Sequence, residues 1–106
     1  MPANNLEIVT SELTLLETLV QPVKQSNQKL AAIYETVLNT SAIVLFPITK
    51  DILRLSAEFR ANQNFKTPDA IHCATASVSD CKYFVTNDIG FKRFTNIEVI
   101  VLKEIV

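Results

Sequence analysis

Two apolar patterns alternate along this chain. Residues 6–10, 42–46, 83–86 and 97–102 are short apolar runs of strand length. The 42–46 run, Ala-Ile-Val-Leu-Phe, is continuous, as expected of a strand in a parallel sheet with both faces covered. Between these runs, apolar residues recur at helical spacing. Ser11 is placed to cap a helix over 12–20 that Pro22 closes. Leu30, Ile33, Tyr34, Val37 and Leu38 form a stripe that predicts a helix over 27–38. Thr49 caps a further helix with Ile52, Leu53, Leu55, Ser56 and Phe59 on its inner face. Thr67 followed by Pro68 is a strong start signal for a helix running to about Ser79. Strands alternating with helices predict an α/β domain, a three-layer α/β/α arrangement around a mostly parallel sheet. The four strands are expected in one sheet.

At 106 residues the chain has room for one domain, 1–106. Apolar residues make up 48% and charged residues 20%, the balance of a globular protein. A single glycine excludes a glycine-rich phosphate loop. The apolar runs are far shorter than the ~20 residues a membrane helix needs. Met1–Asn5 carries no signal-peptide pattern, so a cytoplasmic protein is expected. Cys73 and Cys81 suit reduced thiols, and one histidine with two cysteines makes a structural zinc site improbable. A net charge of −1 exerts no global pull on nucleic acid, so any such binding rests on local patches or metals.

Three acids stand where ligands collect in α/β proteins, at the edge outside the carboxyl ends of the strands. Glu17 follows the first strand on a helix, Asp69 lies in the first turn of a later helix, and Asp88 follows the apolar strand 83–86. Singly, each has an ordinary explanation: a solvated helix residue, a helix-dipole acid and a turn former. Together they suggest a divalent metal and a phosphate-bearing substrate, because a cation removes the mutual repulsion of packed carboxylates. Lys92 and Arg93 follow Asp88 closely enough to reach an RNA backbone, although solvated loop charges are the default. Arg54 and Arg60 read as surface charges that could border a substrate groove. His72 reads as a half-buried helix histidine.

Thr10-Ser11-Glu12-Leu13-Thr14-Leu15-Leu16-Glu17, Thr67-Pro68-Asp69-Ala70-Ile71-His72-Cys73-Ala74-Thr75-Ala76 and Phe84-Val85-Thr86-Asn87-Asp88-Ile89-Gly90-Phe91 resemble three successive motifs of PIN domains. These metal-dependent ribonucleases include the VapC-like toxins of toxin–antitoxin pairs. The resemblance runs from about Leu6 to Leu102. It implies Glu17, Asp69 and Asp88 as acidic metal-site residues, with Thr86 beside them and Asn87 shaping the loop. It further implies Mg2+ or Mn2+ as cofactor, RNA as substrate, hydrolysis of a phosphodiester by metal-activated water, and a cognate antitoxin as partner.

One motif departs from the family pattern. PIN domains usually open with a strand ending in Asp-x-Asn, and nothing equivalent precedes Glu17; the nearest candidates are Asn4, Asn5, Glu7 and Glu12. The expectation is therefore a sheet short of its first strand, with open edges covered by a second copy in a homodimer. The alternative is a catalytically inactive PIN remnant that binds RNA or a protein without cutting.

Overall fold

A computed structural model describes residues 6–105. They fall into two compact units, Met1–Pro47 and Ile48–Val106.

In the first unit, β1 (Ile8–Ser11) pairs in parallel with β2 (Ile43–Phe46), Ile8 opposite Ile43 and Ser11 opposite Phe46. The crossover between them is made by α1 (Leu13–Lys24) and α2 (Gln28–Leu38). Ser11 belongs to the strand and is buried, yet its Oγ still accepts from the Leu13 amide at 3.0 Å, as a residue starting a helix would. Pro22 does not close α1. It sits buried in the last turn, and the helix continues to Lys24. The actual stop is a Schellman motif: Asn27 N–H donates to Pro22 O at 2.8 Å and Ser26 N–H to Val23 O at 3.1 Å, with Ser26 at φ 54°. Asn27 then caps α2, its Oδ1 accepting from Leu30 N at 3.1 Å.

In the second unit, α3 (Lys50–Gln63) starts as expected, with Thr49 Oγ1 accepting from Ile52 N at 3.2 Å. It packs on α4 (Thr67–Val78), whose buried positions Ala70, Cys73, Ala74 and Ala76 are small and allow close approach. Two buried hydroxyls between these helices, Ser56 and Thr75, donate to the carbonyls of Ile52 and Ile71 at 2.7 Å, so neither is stranded without a partner. A second Schellman motif ends α4, with Asp80 at φ 64° and Cys81 N–H donating to Ala76 O at 3.0 Å. The chain then enters β3 (Tyr83–Thr86), a 3₁₀ turn over Ile89–Arg93 and β4 (Glu98–Val101). β3 and β4 pair in parallel, Phe84 opposite Val99 and Thr86 opposite Val101.

The α/β class and the parallel pairing hold. The single four-stranded sheet does not: the strands form two parallel ladders, one within each unit. A two-stranded ladder also leaves side chains uncovered, and Tyr83 and Val85 on one side of β3 are more than half exposed.

Five of the six phenylalanines build the core of the second unit. Phe94, 1% exposed, meets Phe59, Phe65 and Phe84 at ring-centroid distances of 5.5, 6.5 and 5.6 Å, each edge to face. Phe91 stacks on Phe65 at 6.0 Å and touches Phe84 at 4.8 Å. These contacts clamp the segment after β3 against the residues that lead into α4. They bring together the two stretches that carry Asp69 and Asp88.

Candidate functional site

The loop after β3 is held by its own polar side chains. Thr86 Oγ1 accepts from the Asp88 amide at 3.1 Å, and Asn87 Oδ1 from the Lys103 amide at 3.0 Å. Asp88 Oδ1 accepts from Gly90 N–H at 2.8 Å, which caps the 3₁₀ turn. Each of these side chains satisfies a backbone donor that the end of a strand would otherwise leave open. The chain's only glycine makes this bond. A Cβ at position 90 would stand 3.0 Å from Asp88 Oδ1. Asp88 is exposed, and the bond to Gly90 engages one of its two carboxylate oxygens.

Asp69 lies in the first turn of α4 and is half-buried. Lys66 occupies the N-cap without a side-chain cap, so the acid favoured by the helix dipole is Asp69 itself. Thr67 does not cap α4 as expected; its Oγ1 accepts from Arg60 Nη1 at 2.8 Å. One helical turn beyond Asp69, the Cys73 thiol is pushed up to about 12, mainly by burial and then by the Asp69 carboxylate, against the opposing pull of Arg93. Asp69 and Arg93 therefore act with opposite sign on the same buried thiol of α4. The Arg93 guanidinium lies over the Phe65 ring, 4.5 Å from its centroid. Lys92 is turned elsewhere, in an ion pair with Glu104 at 2.7 Å.

Glu17 lies on α1 of the first unit and is exposed. The second unit holds Asp69, Thr86, Asn87, Asp88, Lys92 and Arg93. Within neither unit, among the described residues, do three His, Cys, Asp or Glu side chains gather as a metal cluster. Asn4 and Asn5 lie outside the described residues. Sequence reasoning passed over Gly90 and Phe65. A lone glycine two residues after an aspartate was the available sign of the first; nothing local marks the second, whose role comes from the ring packing.

The family model described as PIN domain matches residues 3–97. The chain belongs to the PIN domain family. No curated protein and no solved structure gives a significant match. PIN domains are a nuclease family that acts on nucleic acids and generally depends on a divalent metal. Of the residues expected at a metal site, the second unit offers the hard carboxylate oxygens of Asp69 and the side of Asp88 not bonded to Gly90, which could hold a cation. Such a set suits Mg2+, which is commonly held by one or two carboxylates with water and substrate phosphate completing the shell. Among the described residues no helix is long and apolar enough to cross a membrane.

Proposed function

We propose that this PIN domain is a metal-dependent ribonuclease, the toxin of a toxin–antitoxin pair, acting on RNA in the cytoplasm as a homodimer. The observation that carries the reading is the pair of acids in the second unit. Asp88 is held by Gly90 N–H on a loop that Phe91 and Phe94 clamp against Phe65, two residues before the helix that bears Asp69. Such a loop restrains the Asp88 carboxylate before any ligand arrives, which lowers the ordering cost of binding.

Asp69 and Asp88 would hold the ion, and Glu17 would orient a second ion or the attacking water. When bound, Mg2+ or Mn2+ supplies positive charge against the phosphate and makes water a better nucleophile at neutral pH. Thr86 and Asn87 keep the loop in shape through their bonds to the Asp88 and Lys103 amides. The exposed Tyr83 and Val85 supply apolar surface for a second copy. A monomer by light scattering across micromolar concentrations would remove the dimer from the proposal.

The test is cleavage of single-stranded RNA with Mg2+ or Mn2+ against an EDTA control, by wild type and by Asp69→Asn and Asp88→Asn. Metal-dependent cleavage that both variants lose supports the proposal. Cleavage that survives in the double variant would reduce the two acids to a helix-dipole acid and a turn cap. That no three His, Cys, Asp or Glu side chains gather as a cluster within either unit, among the described residues, favours a second reading: a PIN module that binds RNA or a protein without cutting. Binding without metal-dependent cleavage would establish it.

A further inference from the structure

Two kinds of cation stand out in the second unit. Arg54 pairs with Asp51 at 3.1 Å and Lys92 with Glu104 at 2.7 Å, so a neighbouring carboxylate neutralises each. Arg60 and Arg93 are held in place by neutral groups. Arg60 Nε donates to Phe65 O at 3.3 Å, and its Nη1 to Thr67 Oγ1 at 2.8 Å. Arg93 lies on the face of the Phe65 ring. Within this unit, among the described residues, neither guanidinium is paired with a carboxylate. Both groups are thus anchored to one residue, Phe65, by its carbonyl and by its ring.

The donor balance of the pair is unusual. A guanidinium has five N–H donors. Within this unit, among the described residues, the two hydrogen bonds of Arg60 engage Nε and Nη1 and not its second terminal nitrogen. The ring stacking of Arg93 uses no N–H at all, because the attraction acts through the π face. Phe65 is buried, and its ring is fixed by Phe91 and Phe94, so the platform under Arg93 is rigid. Two charged forks, held in place and without a carboxylate ion-pair partner inside this unit among the described residues, suit a diffuse anion with several acceptor oxygens. Guanidinium groups match phosphate in this way, and an ammonium does not. The pair borders the start of α4, where Asp69 stands, and Arg93 ends the 3₁₀ turn that Asp88 caps.

We propose that Arg60 and Arg93, anchored on Phe65, form a two-guanidinium clamp for the phosphodiester backbone of single-stranded RNA. The clamp rests on the nuclease reading above, and it adds that recognition is of the backbone rather than the bases. Asp69 and Asp88 repel the same phosphates, and the two arginines offset that repulsion where net charge cannot, since the whole chain carries −1. The expected specificity is low, and two neutralised phosphates give a modest salt slope of about −1.4.

Binding is measured by fluorescence anisotropy with a labelled single-stranded RNA 20-mer in EDTA, over a series of salt concentrations. The proteins are wild type, Arg60→Gln, Arg93→Gln, the double variant and Arg54→Gln. Each clamp variant is expected to weaken binding about five- to tenfold and to lower the salt slope by about 0.7 for each phosphate no longer neutralised. Arg54→Gln makes the same change of charge on a neutralised cation and is expected to bind as wild type does. Arg93 makes no side-chain hydrogen bond within its unit among the described residues, so the folding of Arg93→Gln, followed by circular dichroism, is expected to be unchanged even if Arg60→Gln loosens the α3–α4 link. Wild-type affinity and slope in Arg93→Gln would overturn the clamp, as would an equal loss in Arg54→Gln or absence of RNA binding by wild type. Metal-dependent cleavage is scored separately, so failure of the clamp in EDTA is distinct from failure of the nuclease assignment.

Discussion

Replacing Gly90 by alanine moves the Asp88 carboxylate without removing it. The new Cβ would stand 3.0 Å from Oδ1 and 3.7 Å from Cγ of Asp88, so the exposed carboxylate must give by a few tenths of an ångström. The 2.8 Å bond from Gly90 N–H is then stretched. An exposed cap of this kind is worth about 1 kcal/mol. Position 90 is outside the positive-φ region, so alanine fits the backbone and restricts the unfolded chain, a gain of roughly 0.4–1 kcal/mol. The two effects nearly cancel, and Tm is expected to stay within about 4 °C of wild type. Metal binding has no such compensation. At Mn2+ a hundredfold above the wild-type Kd, the ion stabilises the fold by about 2.7 kcal/mol. A tenfold weaker site removes about 1.4 kcal/mol of that, so the Mn2+-induced rise in Tm shrinks by roughly 5–8 °C. Asp88→Asn is the complementary change, because its side-chain oxygen still accepts from Gly90 N–H while the charge is gone. Thermal melts of the three proteins with and without Mn2+ make the comparison. The reasoning is refuted if Gly90→Ala shows the full wild-type Mn2+ shift, or if its metal-free Tm falls by more than about 10 °C.

Phe94→Ala opens the centre of the aromatic cluster and is expected to cost about 3–5 kcal/mol, read by urea unfolding; a loss under 1 kcal/mol would mean that the cluster repacks. Ser26→Gly and Asp80→Gly relieve left-handed positions at two helix ends and are each expected to stabilise by about 0.5–1 kcal/mol, with an unchanged or lower Tm as the contrary result. The Cys73 thiol rises from 9.0 to about 12 on folding, chiefly through burial. A folded value above the unfolded one means that its contribution is complete below pH 9 and is lost as pH climbs toward 12. Cys73→Ala should therefore flatten the loss of stability across that window relative to wild type, and a native chain at pH 8 should resist thiol alkylation at Cys73.

The sequence by itself determined the elements, because their signals are local. Thr49 caps the helix it precedes, Pro68 opens α4, and the runs at 42–46 and 83–86 hold strands, since caps and apolar periodicity act over a few residues. The PIN family was likewise legible, from three short stretches of sequence. Where local signals compete, the tertiary structure decided. Pro22 looked like a helix stop, but burial of its ring in the last turn lets α1 run on to a Schellman end at Ser26. Thr67 looked like a cap, but its hydroxyl accepts from Arg60, seven residues away in the chain. The pairing of four strands into two ladders depends on backbone partners distant in sequence, which no window of residues contains. The same holds at the candidate site. Nothing near Phe65 in the chain announces that its ring will carry Arg93, because that stacking exists only once five phenylalanines from separate elements have packed into one core.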